Sequence, residues 1–254
     1  MTDQSPISTE LTGAELWALR TDLAAAFRIC ALMNWHESVG NHFSAAVSAD
    51  GRKFLMNRKW QHFAAVRASD LLLLDAGDDS VMAQANAPDA SAWAVHGTIH
   101  RLRPDVRVVI HAHTPYATAL STLKDPRLLP LDNNTARFWG DVGIDLGFGG
   151  IADAAEEGER LASALGRNSC LMMGNHGVTV TAPTVALAFE KLYFFEKAAQ
   201  TMVLAYSTGQ PLNVLSDAVA QNTAEGWIAY EGMADAHFAH LKRQLDRSDP
   251  SYRD

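Results

Sequence analysis

Hydrophobic residues recur every three or four positions along several stretches of the chain, which is the spacing of an amphipathic helix. This spacing predicts helices over residues 14–33, 90–102, 116–123, 154–165, 184–206 and 223–245. Thr12 precedes the first stretch and is followed three positions later by Glu15, which is the pattern of a capping box at a helix start. Pro104 and Gly166 follow two of the other stretches and are typical helix terminators.

Short runs of apolar and β-branched residues between the helices predict strands. These runs cover residues 42–48, 52–57, 70–75, 106–111, 169–173 and 178–181. Asp50-Gly51 separates the first two runs and predicts a hairpin. The turn sequence 174–177 separates the last two runs and predicts a second hairpin. Residues 124–141 contain two prolines and several Asn and Asp residues, and are therefore predicted to be mainly loop.

Helices and strands alternate along the whole chain, and no internal repeat or Gly-, Ser- or Pro-rich linker divides it. The pattern therefore predicts a single α/β domain. The polar residues 1–13 are expected to form a flexible tail. Residues 14–254 are expected to form the domain, with a core at 14–206 and a C-terminal helix at 223–245.

Composition narrows the class of partner. The 254 residues carry a formal net charge of −8, which disfavours nucleic acid as a ligand. Cys30 and Cys170 lie in apolar runs outside any C-x-x-C pair, so both are expected to be buried thiols. The first residues lack the apolar segment of a signal peptide, and no run reaches the roughly 18 apolar residues of a membrane span. We expect a cytoplasmic protein that binds neither nucleic acid nor a membrane.

Two histidines close the strand predicted at 106–111. Side chains two positions apart in a strand point to the same face, so His111 and His113 project together, roughly 6 to 7 Å apart at the backbone. Two imidazoles in this arrangement suit one metal ion. The other interpretation, two solvated loop histidines, is equally compatible with the spacing alone.

Two further sequences suggest a binding site. His176 stands between glycines in the second hairpin turn, where the backbone can approach another group closely. The segment 40–44, Gly-Asn-His-Phe-Ser, contains Asn41 and Ser44 and can bind an anion through its N–H groups. Each sequence is also compatible with an ordinary turn.

Taken together, these residues resemble the class II aldolase/adducin family. The matching stretches are Gly-Asn-His-Phe-Ser at 40–44, residues 95–106, Val-Ile-His-Ala-His-Thr-Pro at 109–115, Leu-Met-Met-Gly-Asn-His-Gly at 171–177, and residues 188–196. They occur in the family's order, and the resemblance covers roughly residues 14 to 206. The segment 243–252 is similar to the adducin-like branch of the family.

The resemblance implies an α/β/α three-layer sandwich around a mixed, largely antiparallel sheet. It implies one divalent metal per chain held by His111, His113 and His176, with zinc first and iron, manganese or cobalt as alternatives. It also implies a homotetramer with active sites between neighbouring subunits. In such a site the ion acts as a Lewis acid on the enediolate formed when a C–C bond breaks.

The sequence departs from the family at the catalytic carboxylate. The aldolases carry a Glu as the general acid/base at the position that aligns here with Ala92, and alanine cannot transfer a proton. The candidate replacements are His96, His100, Tyr116 and a residue from a neighbouring subunit. His96 and His100 are also compatible with packed or supporting roles.

The second departure lies in the phosphate-binding loop of the sugar-phosphate enzymes. The corresponding segment 57–62 contains no glycine, so its backbone is less free to wrap a phosphate. Arg58 and Lys59 can still hold an anion, and Arg suits a carboxylate. A solvated basic loop is the competing interpretation. The expected substrate is a small, unphosphorylated hydroxy-carbonyl compound or keto-acid.

Three hypotheses for function follow. The first is a metal-dependent lyase that cleaves or forms a C–C bond. The second is a non-haem metal oxygenase or decarboxylase on the same fold, because three neutral histidines can also hold Fe(II). The third is a non-catalytic adducin-like assembly module, which the loss of the Glu at Ala92 favours and the retention of three histidines disfavours.

Overall fold

The computed structural model describes residues 11–150, 155–230 and 232–254. Residues 1–10 of the predicted tail, and residue 154 at the predicted start of the fourth helix, lie outside the described residues. The helices are α1 (Gly13–Leu32), α2 (Ala90–Ala92), α3 (Thr98–Leu102), α4 (Pro115–Ser121), α5 (Asn133–Ala136), α6 (Ala155–Leu165), α7 (Val185–Ser207), α8 (Asp217–Ala229) and α9 (Met233–Ser248). Thr12 and Glu15 form the predicted capping box of α1.

In the described part of the chain, seven strands form one sheet. They are β1 (His42–Ala46), β2 (Lys53–Met56), β3 (Leu72–Asp75), β4 (Val108–Ala112), β5 (Val142–Asp145), β6 (Cys170–Met173) and β7 (Gly177–Ala182). Their order is β3-β2-β1-β4-β7-β6-β5. Every neighbouring pair is antiparallel except β5 with β6, which is parallel. The two predicted hairpins, β1–β2 and β6–β7, are both present.

Helices cover both faces of the sheet. Alternate residues of a strand face opposite sides, and here both sides carry apolar residues that must be buried. Phe43, Ile110 and Val180 face one side and belong to the large apolar layer formed with α1, α4 and α7. Val109 and Leu171 face the other side, where they pack with apolar residues of the 90–102 segment and α6. The predicted α/β/α three-layer sandwich with a mixed, largely antiparallel sheet is therefore confirmed.

The structure differs from the predicted elements in three places. The predicted helix 90–102 is interrupted by a π-helical turn at Trp93–Gly97. The predicted loop 124–141 contains the short helix α5, and the following strand β5 was not predicted, because Val-Gly-Ile-Asp is too short to show a pattern. The single C-terminal helix predicted at 223–245 is wrong. The structure has α8 and α9 instead: α8 ends at Ala229, and Gly232, which has a left-handed backbone (φ 81°), immediately precedes α9.

Cys30 and Cys170 are buried free thiols, and burial raises the pKa of both. Of the helices in the described part of the chain, none combines the length and apolar character that crossing a membrane requires.

Candidate metal centre

Three histidines converge where β4 ends and β7 begins. β4 and β7 are antiparallel neighbours, so the end of β4 lies beside the turn that precedes β7. This pairing brings His111 and His113 to His176, and one ring nitrogen from each of the three lies within 4.8 Å of the others. The Nε2 atoms of His111 and His113 are 3.1 Å apart.

This spacing fits a metal site. Nitrogen ligands about 2.0 to 2.1 Å from a tetrahedral zinc ion lie about 3.3 Å from one another. The separation of 3.1 Å between the two Nε2 atoms requires only a small adjustment to reach that value. Three imidazoles also leave at least one coordination position open for a substrate. The donor set therefore fits one divalent ion.

The backbone of the turn that carries His176 passes very close to the end of β4. Asn175 has a left-handed backbone (φ 55°). A Cβ atom at Gly177 would lie 2.7 Å from the carbonyl oxygen of Ala112 and 2.8 Å from the ring of His113. Glycine at 177 is therefore needed to let His176 lie against the end of β4.

Two of the candidate ligands, His111 and His113, also contact other side chains through their Nδ1 atoms. The Nδ1 atom of His111 lies 3.2 Å from the hydroxyl oxygen of Thr179, which itself donates to the sulfur of Met173. The Nδ1 atom of His113 hydrogen bonds to the carboxylate of Glu37. Sequence reasoning missed Glu37, because no spacing links a residue in the loop after α1 to the end of β4.

Burial favours the neutral form of His111 and His176 by lowering the pKa of each. It lowers the pKa of His176 to about 4, with the neighbouring His113 adding to the effect. Burial and the nearby histidines also hold the pKa of His111 well below its ordinary value. A neutral imidazole offers a lone pair, which is the form that a metal needs.

A cavity of about 230 Å³ lies beside this centre. The ring of His42 stacks on that of His111, with centroids 4.9 Å apart, and also lines the cavity. The other lining residues are Val39, Gly40, Asn41, Asn57, Arg58, Lys59, Trp60, Asp89, Ser91 and Ala92. The structure thus brings three of the predicted substrate-binding residues together, along with the position of the missing Glu.

Asn41 is an unusual part of the cavity wall. It has a left-handed backbone (φ 68°), which is uncommon for a residue other than glycine. Its side chain is buried, and neither amide atom has a hydrogen-bond partner among the described residues. Buried amide groups without partners are costly, so the Asn41 amide is available to a water molecule or a ligand in the cavity.

Asp89 is a carboxylate of this cavity that sequence reasoning missed. It caps the start of α2 by accepting hydrogen bonds from the N–H and hydroxyl of Ser91, and it lies 3.7 Å from Lys59 Nζ. Burial raises the pKa of Asp89, but these hydrogen bonds and the charge of Lys59 outweigh it, so the net pKa is lowered. Asp89 precedes Ala92 by three positions and reads in the sequence only as a helix cap.

The predicted catalytic histidines lie behind the cavity wall. His96 and His100 are fully buried and joined by Ser44, whose hydroxyl is 2.6 Å from His96 Nδ1 and 2.8 Å from His100 Nε2. His96 Nε2 is in turn 2.8 Å from Nδ1 of His42. Within this chain of four side chains, only His42 lines the cavity, so Ser44, His96 and His100 support it from within the protein.

Tyr116 lies elsewhere. Its side chain packs against the apolar layer of α1 and α7, and its backbone N–H donates to Glu196. Glu196 also accepts hydrogen bonds from Thr114 and Ala117, so it anchors the start of α4 just after His113. Tyr116 does not line the cavity.

The buried histidines predict acid sensitivity of the metal-free protein. Burial, with help from the charge of Arg107, lowers the pKa of His100 to about 3, and burial holds the pKa of His96 well below its ordinary value. Below about pH 6.5 the unfolded chain therefore binds protons that the folded chain does not, so stability falls as the pH falls. We expect a loss of about 2 kcal/mol per histidine between pH 7 and pH 5.

Urea unfolding with a chelator at pH 7 and pH 5 measures this loss. The His100→Gln variant should lose about 2 kcal/mol less than the wild type over this interval. A matched His240→Gln variant, which changes an exposed histidine, should lose as much as the wild type. Equal losses in all three proteins would contradict the assignment.

Comparisons with known proteins agree with this architecture. The family model described as Class II Aldolase and Adducin N-terminal domain matches residues 21–203. A Caulobacter vibrioides protein named after the class 2 aldolases is 30% identical over 243 residues, covering 94% of this chain and 93% of its own. The crystal structure of an aldolase II superfamily protein from Pseudomonas syringae superposes with a TM-score of 0.84 at 32% identity, covering 96% of this chain and 98% of that chain.

A more distant relative carries a different activity in its name. Decarboxylase NovR from Streptomyces niveus is 27% identical over 184 residues, covering 70% of this chain and 67% of its own. The family match spans most of the chain and includes β1, β4 and the turn with His176. The chain belongs to the class II aldolase and adducin family.

Proposed function

We propose that the protein is a metal-dependent lyase that cleaves or forms a C–C bond in a small, unphosphorylated hydroxy-carbonyl compound or keto-acid. The observation that carries this proposal is the convergence of His111, His113 and His176 beside the cavity that His42 lines. A divalent ion bound by these residues, zinc first, would supply Lewis-acid stabilisation of the negative charge that develops next to a carbonyl group.

The cavity wall supports an anionic substrate. Arg58 donates from Nε to the carbonyl oxygen of Asp70, which orients its guanidinium group, and Lys59 lies next to it. The unpartnered amide of Asn41 offers both a donor and an acceptor to the same ligand. Together these groups suit a carboxylate with a neighbouring hydroxyl or carbonyl oxygen.

We also propose that Asp89 is the general acid/base, which transfers a proton to or from the substrate in place of the Glu that is absent at Ala92. It is a carboxylate in the cavity wall, at the start of the helical segment that carries Ala92. His96 and His100 then act as positioning residues, because His96 contacts the ring of His42 directly and His100 is linked to His96 through Ser44. Tyr116 has no part in this proposal.

A substrate panel tests the reaction. Protein loaded with zinc or manganese is incubated with short-chain hydroxy-keto acids, and the release of a smaller carbonyl product is followed by coupled reduction. We expect cleavage of at least one unphosphorylated compound and weaker activity on its phosphorylated counterpart. If the metal-loaded protein releases no product from any compound of the panel, the lyase proposal is wrong.

A second candidate is a non-haem oxygenase or decarboxylase. The similarity to Decarboxylase NovR favours it, and three neutral histidines can also hold Fe(II). Oxygen uptake or CO₂ release by the iron-loaded protein, with no cleavage activity when zinc is bound, would select this candidate over the lyase. An assembly module without catalysis would instead show normal assembly without any metal.

The proposed assembly is a homotetramer with active sites between subunits. Apolar side chains on and after α8 are exposed in the single chain: Val219 at 49%, Ile228 at 62% and Tyr230 at 65%. Burial of such residues against another copy is a common use of exposed apolar surface. Light scattering should give 4 × 27.6 kDa, about 110 kDa. The cytoplasmic location remains a prediction.

A further inference from the structure

Glu37 touches one candidate ligand of the metal centre from outside. Its carboxylate accepts a hydrogen bond from Nδ1 of His113, a residue 76 positions away in the sequence. We propose that Glu37 is a positioning residue of the metal centre, which holds His113 in the tautomer that presents Nε2 to the ion and thereby strengthens metal binding. This inference rests on the proposed metal binding.

The tautomer follows from the donors and acceptors present. A neutral imidazole carries one N–H, and an ionised carboxylate can only accept a hydrogen bond. In a neutral His113, the contact with the Glu37 carboxylate therefore favours the tautomer with the proton on Nδ1 and the lone pair on Nε2. That Nε2 atom is the one 3.1 Å from Nε2 of His111, so the free lone pair points at the other candidate ligands.

The loop geometry keeps Glu37 in place although 63% of its side chain is exposed. Glu37 forms a tight turn with Gly40, whose N–H donates to the Glu37 carbonyl oxygen at 2.8 Å. Three residues of this loop that are not glycines have left-handed backbones: Asn34 (φ 57°), Ser38 (φ 51°) and Asn41 (φ 68°). Such conformations persist where the surrounding structure imposes them, and they cluster at functional sites.

The same loop connects the metal centre to the cavity. Val39, Gly40 and Asn41 line the cavity, and His42 starts β1 opposite His111. The contact between Glu37 and His113 therefore holds the middle of the loop against the metal centre, and the pairing of β1 with β4 holds its last residues in place. Among the residues that the structure describes, Glu37 is the only one whose carboxylate forms a hydrogen bond with a candidate metal ligand.

An ordinary surface ion pair is the competing explanation, and it predicts the opposite effect. In that case Glu37 would stabilise the imidazolium form of His113, in which both ring nitrogens carry protons and neither can bind metal. Removing Glu37 would then leave metal affinity unchanged or raise it. An outer carboxylate that orients a ligand histidine instead typically contributes 10- to 100-fold in metal affinity.

Metal affinity distinguishes the two roles without any need for substrate. The Zn²⁺ dissociation constant is measured at pH 7.5 by competition with a chromophoric chelator for the wild type, Glu37→Gln and Glu37→Ala. Glu159→Gln is the matched control, because Glu159 is an exposed carboxylate (67%) that lies 3.9 Å from Arg101, away from the centre. Thermal melts of the metal-free proteins check that each variant is folded.

We expect Glu37→Ala to bind zinc 10 to 100 times more weakly and Glu37→Gln to be intermediate, since an amide oxygen still accepts from Nδ1–H but carries no charge. Glu159→Gln should match the wild type. Affinity of Glu37→Ala within threefold of the wild type, or above it, overturns the role of Glu37 while the metal centre stands. A wild type that binds no zinc overturns the metal centre and this inference together.

Discussion

Replacing His111 with alanine is expected to remove the bound metal and to abolish activity. His111 is the most buried of the three candidate ligands, and it lies at the centre of the cluster between His113, His176 and His42. Two remaining imidazoles cannot hold a divalent ion against cellular chelators, because structural and catalytic zinc sites use at least three protein ligands. We expect about one metal per chain in the wild type and less than a tenth of that in the variant.

Mass spectrometry of the metals in protein purified without a histidine tag measures this difference. His240→Ala is the matched control, since it removes an exposed histidine, and it should keep the full metal content. His176→Gln guards against misfolding, because His176 is only partly buried and lies in a turn. Wild-type metal content in both ligand variants would show that the ion is bound elsewhere.

Replacing Asp89 with asparagine is expected to lower kcat by about 10²- to 10⁴-fold while leaving metal content unchanged. This range is the usual contribution of a positioned general acid or base. Asparagine caps helices as well as aspartate does, so the start of α2 and its hydrogen bonds from Ser91 should survive the change. The loss can then be assigned to the missing carboxylate rather than to the fold.

The chain provides a closely matched control for this variant. Asp78 caps the short 3₁₀ helix Asp79–Ala83 by accepting hydrogen bonds from the N–H and hydroxyl of Ser80, as Asp89 does from Ser91. Asp78 does not line the cavity, so Asp78→Asn should retain wild-type kcat. If Asp89→Asn also stays within threefold of the wild type, another group transfers the proton.

The sequence predicted the parts of the centre that local patterns determine. His111 and His113 are two positions apart at a strand end, and His176 lies in a hairpin turn that two glycines identify. The structure places all three within reach of one ion. Asn41, Arg58 and Lys59 were predicted from segments that flank β1 and β2, and they share one cavity.

The remaining parts depend on packing between distant segments. Glu37 meets His113 only because β1 pairs with β4, which brings the end of the preceding loop to the end of β4. His96 and His100 face inward because β1 presents His42 and Ser44 to the 90–102 segment, a choice of strand face that helical periodicity cannot reveal. The break between α8 and α9 was missed because an isolated glycine such as Gly232 is tolerated within a helical pattern and does not by itself predict a helix end.

The position of the candidate centre in the middle of the sheet also bears on how the protein would acquire a metal ion. Its parts are far apart in sequence: His113 and Glu37 are separated by 76 residues, and His111 and Thr179 by 68. Bringing such distant residues together requires long loops to close, which costs conformational entropy. A site built from such contacts rarely exists in an unfolded chain, so we expect the folded protein to take up the ion, and the ions available to it would then decide which one is bound. A chelated preparation should accordingly accept zinc, iron, manganese or cobalt in separate reconstitutions without refolding.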